Sequence, residues 1–289
     1  MSSFPKTKVP SRPSVLDSWI GTKAAEDGED VARLRRNVSY MVVAAVLARL
    51  TGIDGTPLFV LKGGVSMQLR FGIRARFSRD YDAVFRRGLD QLEEVLAEAP
   101  SHPVGPFIVR PLGKPEPIGP TGALRQTLDV RFGPSQRGWA KVHLEISQAE
   151  GHSVEPHELD WLDPLPDLST FGLDPQGLVP CMPVAYQIAQ KIHACTEDLE
   201  HKDNERFHDL LDLQLLAEIV DGEAWTVVRA ACEEVFTGRR KHTWPPSITL
   251  YPEWPTGYAK LASDNGFPIG DIETAIANVE TLIARIAAA

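Results

Sequence analysis

Between Phe59 and Arg87 the chain reads as strand, glycine turn, helix, arginine-rich loop and second strand, and this order limits the fold more than any other stretch. Phe59, Val60 and Leu61 form a short apolar run that stops at Gly63 and Gly64, after which Met67, Leu69 and Phe71 give a helix an apolar face that Gly72 closes. Without Cβ atoms, a glycine pair at a helix N-terminus lets backbone N–H groups come close to phosphate oxygens. Asp80-Tyr81-Asp82 then leads into the apolar run Ala83 to Phe85. Residues two apart on a strand point to one face, so Asp80 and Asp82 present paired carboxylates, as metal sites require. Singly, a glycine pair is most often a turn and an Asp-x-Asp a solvated strand face. In this order, the amides and carboxylates are expected at one cleft, where two like charges call for a cation.

At 289 residues the chain is long enough for one large domain or two small ones. Acidic residues outnumber basic ones, 39 to 30, for a formal net charge of −9, so any contact with RNA needs a local basic patch. Cys181, Cys195 and Cys232 are scattered and odd in number, which argues against a disulfide framework and for a reducing compartment, the cytoplasm. No apolar run reaches membrane-spanning length. The polar, proline-broken start reads as a mobile arm rather than a signal peptide.

Along the chain, Val15 to Ile20 reads as a short helix and Asp27 to Leu50 as a packing helix with Val31, Leu34, Val38, Met41, Val42, Ala45 and Leu47 at helical spacing. Leu89 to Ala97 is a further amphipathic helix. Prolines and glycines from Ser101 to Gly122 predict one strand, Pro106 to Arg110, followed by a loop. Leu124 to Phe132 and Trp139 to Ser147 alternate apolar and polar residues around a Gly-Pro-Ser-Gln-Arg-Gly linker and read as a hairpin. On its second strand Lys141, His143 and Glu145 share one face, which makes Glu145 either a third metal-binding carboxylate or a solvated strand glutamate. His143-Leu144-Glu145 with Pro180-Cys181 also resembles half of a zinc-deaminase signature, but the second cysteine is missing and that reading fails.

The proline-dotted stretch from His152 to Val179 joins a mixed α/β half, residues 1–150, to a helical half, residues 151–289. Helices are predicted over Val184 to Leu199, Arg206 to Leu216, Ala224 to Phe236, Pro255 to Leu261 and Ile272 to Ile286, forming a bundle. Lys191 falls in mid-helix, where a lysine is ordinarily solvated. Asp209 and Asp212 share a helix face, and Arg206 is spaced to pair with Asp209. Arg239-Arg240-Lys241-His242 beside Trp244 suits phosphates and a stacked base, and equally suits a solvated loop.

Lys62-Gly63-Gly64, Arg76 to Asp82, Gln190-Lys191-Ile192-His193-Ala194 and Arg206 to Leu213 occur in the order seen in the AbiEii/AbiGii nucleotidyltransferase-like toxins. The sequence resembles that family from about residue 30 onward, with its nearest likeness to the mycobacterial MenT branch. The resemblance implies a nucleotidyltransferase-like α/β (α+β) fold in the N-terminal half and a Mg²⁺-dependent, two-metal enzyme that uses an NTP. It further implies a toxin that transfers a nucleotide to the 3′ acceptor end of tRNA, blocks translation and is countered by an antitoxin protein.

Residue by residue, the resemblance makes Asp80 and Asp82, with Glu145, the metal ligands. Lys191 becomes a contact to the triphosphate, with Asp212 as a functional aspartate. Lys62, Gly63, Gly64 and Ser66 are the nucleotide-binding candidates, although the family commonly carries Ser or Thr where Val65 stands. Ser78 is the point at which MenT-type members are open to phosphorylation, which would add negative charge beside Asp80 and Asp82. Arg239, Arg240 and Lys241 are candidate tRNA contacts. Two alternatives share these residues: a nucleotide-binding regulator without turnover, and a transferase with a protein acceptor.

Overall fold

The computed structural model describes residues 3–119, 122–133, 137–199 and 203–289, which leaves Pro134 to Gln136 of the hairpin linker outside the described residues. The chain divides into two compact units of non-contiguous segments. One comprises Met1–Leu69, Phe77–Ala149 and Trp161–Cys181; the other comprises Arg70–Arg76, Glu150–Asp160 and Met182–Ala289.

In chain order the elements begin with α1 (Pro13–Asp27), α2 (Val31–Leu47), β1 (Phe59–Leu61), α3 (Gly63–Phe71), β2 (Tyr81–Phe85) and α4 (Leu92–Ala97). Next come β3 (Phe107–Ile118), β4 (Ala123–Phe132), β5 (Arg137–Gln148), β6 (Asp160–Leu162) and β7 (Val179–Cys181). The strands form one mixed sheet in the order β3-β4-β5-β2-β1-β7-β6. β1 runs antiparallel to β2 and parallel to β7, β2 runs parallel to β5, and β4 is antiparallel to both β3 and β5. Alternation decides the faces of β5: Val142, Leu144 and Ile146 are buried, whereas Lys141 and His143 are exposed and Glu145 is half-buried. α2 packs against β3 and β5, and its run from Asn37 to Leu47 is buried.

Three expectations change. α1 is longer than Val15 to Ile20, because Pro13 sets its first turn and Gly28 at φ +68° ends it. β3 continues past Arg110 to Ile118 through Pro111, Pro115 and Pro117. As an edge strand it has one side without a ladder partner, where proline's missing N–H is tolerated. The start of the chain, read as a mobile arm, lies against its own unit: the Phe4 ring meets Phe171 edge-on and the Lys6 amide donates to the Thr170 carbonyl at 3.0 Å.

The second unit carries α5 (Val184–Thr196), α6 (Phe207–Ala217), α7 (Ala224–Arg239), α8 (Trp254–Asp264) and α9 (Ile272–Ala288). α5 packs on α6 and α7, while α6 also meets α8 and α9. α8 comes close to α6 because Gly257 has no side chain: a Cβ there would lie 2.6 Å from Cζ of Phe207. Cys181, Cys195 and Cys232 are buried and form no disulfide, and no helix among the described residues is long and apolar enough to cross a membrane.

The sheet makes position-specific demands. Leu144 on β5 is fully buried, so Leu144→Ala is expected to cost about 3 kcal/mol, whereas Leu112 on the edge strand is 48% exposed. Leu112→Ala should stay within about 0.5 kcal/mol of wild type. Urea denaturation of both variants checks the contrast.

Candidate active site

The candidate carboxylates lie on and just before the neighbouring strands β2 and β5. Asp82 on β2 is in register with Glu145 on β5, and Glu145 is in register with Arg125 on β4. Asp80 immediately precedes β2, and both aspartates are half-buried. The Glu145 carboxylate accepts a hydrogen bond from the Arg125 guanidinium. The charge of Glu145 and, more weakly, that of Asp80 raise the pKa of the arginine above its ordinary value.

The glycine pair is a steric seat for this edge. Gly63 sits at φ +64°, and a Cβ on it would fall 2.1 Å from Oδ2 of Asp82; one on Gly64 would fall 2.6 Å from Oγ of Ser78. The Lys62 amide donates to the Asp82 carbonyl at 2.9 Å, and its ammonium donates to Oγ of Ser147 at 2.7 Å. Ser66 is fully buried and its hydroxyl donates to the Gly63 carbonyl at 2.8 Å. Ser78, 6% exposed, donates to the Asp80 carbonyl at 3.0 Å.

Tyr40 on α2 escaped the sequence reading. Its hydroxyl donates to the Arg79 carbonyl at 2.7 Å and so holds the loop that carries Ser78 and Asp80. Burial, with Asp80 and Asp82 adding to it, pushes the phenol pKa up, so the group stays protonated and donating. A tyrosine inside the apolar run Val38 to Leu47 was the available signal, since a buried phenol needs a partner.

An all-carboxylate donor set suits a hard divalent cation such as Mg²⁺, and the Gly63 seat leaves room for the Asp82 carboxylate at the strand edge. The guanidinium on Glu145 shows that this edge accepts a cation. Among the described residues no three His, Cys, Asp or Glu side chains are already grouped to hold a metal ion.

In the helical unit Lys191 is not solvated. It is 9% exposed, and its ammonium donates to Oδ1 of Asp209 at 2.8 Å and to Oδ2 of Asp212 at 2.6 Å. Arg76 Nε donates to the same Asp212 oxygen at 3.1 Å, while Oδ1 of Asp212 has no hydrogen-bond partner among the described residues. Burial depresses the Lys191 pKa, but Asp209 and Asp212 outweigh it and the net shift is upward. Asp209 lies below the ordinary carboxylate range: burial pushes it up, and Lys191, His208, Arg206 and Arg76 together pull it down further. Burial lowers His208 to about 4, keeping it neutral.

The basic segment is partly engaged within its own unit. Arg239 donates to Glu150 at 2.9 Å, Arg240 is an exposed left-handed cap of α7 at φ +53°, and Lys241 is exposed with its ammonium 4.0 Å from Glu197. His242 packs against His193 and Phe236, with Trp244 beside Phe236.

A mixed sheet with a glycine turn seated on an Asp-x-Asp strand and a glutamate one strand away has the nucleotidyltransferase-like architecture. MenT4, a nucleotidyltransferase toxin from Mycobacterium tuberculosis, shares that fold at 18% identity and a TM-score of 0.55, over 96% of this chain and 89% of that one. JHP933 from Helicobacter pylori aligns at 17% identity and a TM-score of 0.47, over 87% of this chain and 91% of its own. None of the curated proteins matches by sequence. The pattern of the family described as "Nucleotidyl transferase AbiEii toxin, Type IV TA system" matches residues 45–278. The chain therefore belongs to the AbiEii family of nucleotidyltransferase toxins, which act within toxin–antitoxin pairs.

Removing Lys191 leaves two buried carboxylates facing each other, so Lys191→Ala should lose about 3–5 kcal/mol at neutral pH. The wild-type contribution of Asp209 is fully present above about pH 4 and fades as acid protonates it. The deficit of the variant should therefore shrink below about pH 4, which urea midpoints at neutral pH and near pH 2 would check.

Proposed function

We propose that this toxin transfers a nucleotidyl group from an NTP to the 3′ acceptor end of tRNA in the cytoplasm, blocks translation by doing so, and is restrained by an antitoxin protein. The observation that carries the reading is the register of Asp82 with Glu145, two residues after Asp80 and against the Gly63 seat. In this reading residues 1–150 form the catalytic domain and residues 151–289 the helical one. Asp80, Asp82 and Glu145 would hold Mg²⁺, which when bound supplies positive charge against the charge gathering on the phosphates.

The 3′ hydroxyl of the acceptor gives up its proton to solvent as its oxygen bonds the α-phosphorus, while the α–β anhydride breaks and pyrophosphate leaves. The amides around Gly63 and Gly64 and the Lys62 ammonium face phosphate oxygens, Lys191 is the cation assigned to the triphosphate, and Asp212 orients it. Arg240 and Lys241 are better placed than Arg239 to meet the acceptor, because Arg239 is already paired with Glu150.

One observation favours a second reading, a nucleotide-binding regulator without turnover. Val65 replaces the family's usual hydroxyl residue, and the Ser66 hydroxyl is committed to the Gly63 carbonyl. Incubating the protein with total RNA and each of four labelled NTPs separates the possibilities: label in tRNA supports the proposal, label in protein points to a protein acceptor, and nucleotide binding without label supports the regulator. In this assay Asp80→Asn and Asp82→Asn should each lower transfer by at least about 100-fold. Near wild-type transfer by either purified variant would remove that aspartate from the metal site.

Ser78 is proposed as a control point. Phosphorylation there would bring close to two negative charges beside Asp80 and Asp82, and it requires the loop to open, since the hydroxyl is buried against Gly64. Ser78→Asp should be inactive and Ser78→Ala should keep substantial activity. Full transfer by a stoichiometrically phosphorylated sample would sink this assignment.

A further inference from the structure

Four charged residues stand in a row across the sheet: Asp82 pairs in register with Glu145, Glu145 with Arg125, and Arg125 with Glu116. Neighbouring strands lie about 4.8 Å apart, so the Arg125 backbone is roughly 10 Å from that of Asp82, within reach of an arginine leaning back over Glu145. The guanidinium does lean that way, since it bonds Oε1 of Glu145. A side chain thus supplies the cation at the carboxylate that the metal reading needs. The pair is open to solvent, with Arg125 44% and Glu145 24% exposed, and exposed ion pairs contribute little to stability. Holding the fold together is a weak explanation for it.

We infer that Arg125 is an internal counter-ion that competes with the metal for Glu145, and that when nucleotide loads, its guanidinium moves to a phosphate oxygen. This rests on the metal reading of Asp80, Asp82 and Glu145 given above. Charge balances in the exchange: Glu145 trades one cation for another, and Arg125 trades a carboxylate for a phosphate, the other oxyanion that offers two oxygens to a guanidinium fork. Without nucleotide the metal site is held incomplete. Nucleotide draws Arg125 away and so strengthens metal binding, and by linkage metal strengthens nucleotide binding to the same degree. The residue acts as a gate on the order in which the site fills.

The test measures Mn²⁺ binding directly, by electron paramagnetic resonance titration, with and without a non-hydrolysable NTP analogue. Without nucleotide, Arg125→Ala should bind Mn²⁺ about two- to fivefold tighter than wild type, the range an exposed pair allows, and should lose the further tightening that the analogue gives the wild type. Arg125→Lys, which keeps the charge but not the planar fork, should fall between the two and serves in its place if the alanine variant does not fold by circular dichroism. In a Glu145→Gln background the effect of Arg125→Ala should vanish, which separates competition at Glu145 from a general change in local charge. Unchanged or weaker Mn²⁺ binding in Arg125→Ala overturns the inference, as does a full effect that persists in Glu145→Gln. The underlying reading is judged separately: if Asp82→Asn binds Mn²⁺ like wild type, the metal site itself is misassigned, whereas weaker binding there with no response to Arg125 removes only the gate.

Discussion

The contact on which the candidate site depends is the approach of the Asp82 carboxylate to the bare Cα of Gly63. A methyl group at that position would overlap the carboxylate oxygen, and the Lys62 amide on the Asp82 carbonyl fixes the two strands at the same height. The next glycine does the same for Ser78, and Tyr40 pins the carbonyl of Arg79 between them. Restraints from α2 and from the start of α3 therefore set the short loop that carries Ser78 and Asp80. Preorganisation of this kind matters because electrostatic stabilisation works only when the charges are in place before the reaction begins.

Much of this was legible in the residues. The change from period two to helical period marked β1, α3 and β2 almost to the residue, and alternation alone put Glu145 on the polar face of β5. What alternation cannot supply is register, so the pairing of Asp82 with Glu145, and of Glu145 with Arg125, came only with the sheet. β3 was cut short because proline is a strand breaker in general and harmless only on an edge, which is a property of strand order rather than of local sequence. The burial of Lys191 was not legible in its helix for a related reason: its two partners lie on another helix, and nothing near it in sequence announces them. The segment Arg70–Arg76 belongs to the helical unit by its contacts, a membership no composition shift marks.

The helical unit handles its buried charge by matching it. Lys191 and Arg76 face Asp209 and Asp212, two cations against two anions, so no net charge is buried, and the neutral His208 beside them adds none. Such a group is a poor source of stability compared with apolar packing, yet it is intolerant of losing any one member. A cluster with those two properties is well suited to holding side-chain directions fixed.

The prolines of β3 have a meaning for partners as well as for folding. A protein that restrains another by adding a strand to its sheet needs a run of free amide donors along an edge. On this molecule one edge strand has lost donors at Pro111, Pro115 and Pro117, and the other, β6, is three residues long. Neither edge offers an extended template, so a partner is left to read side chains on faces and loops, where charge and shape discriminate more sharply than a backbone ladder common to every sequence.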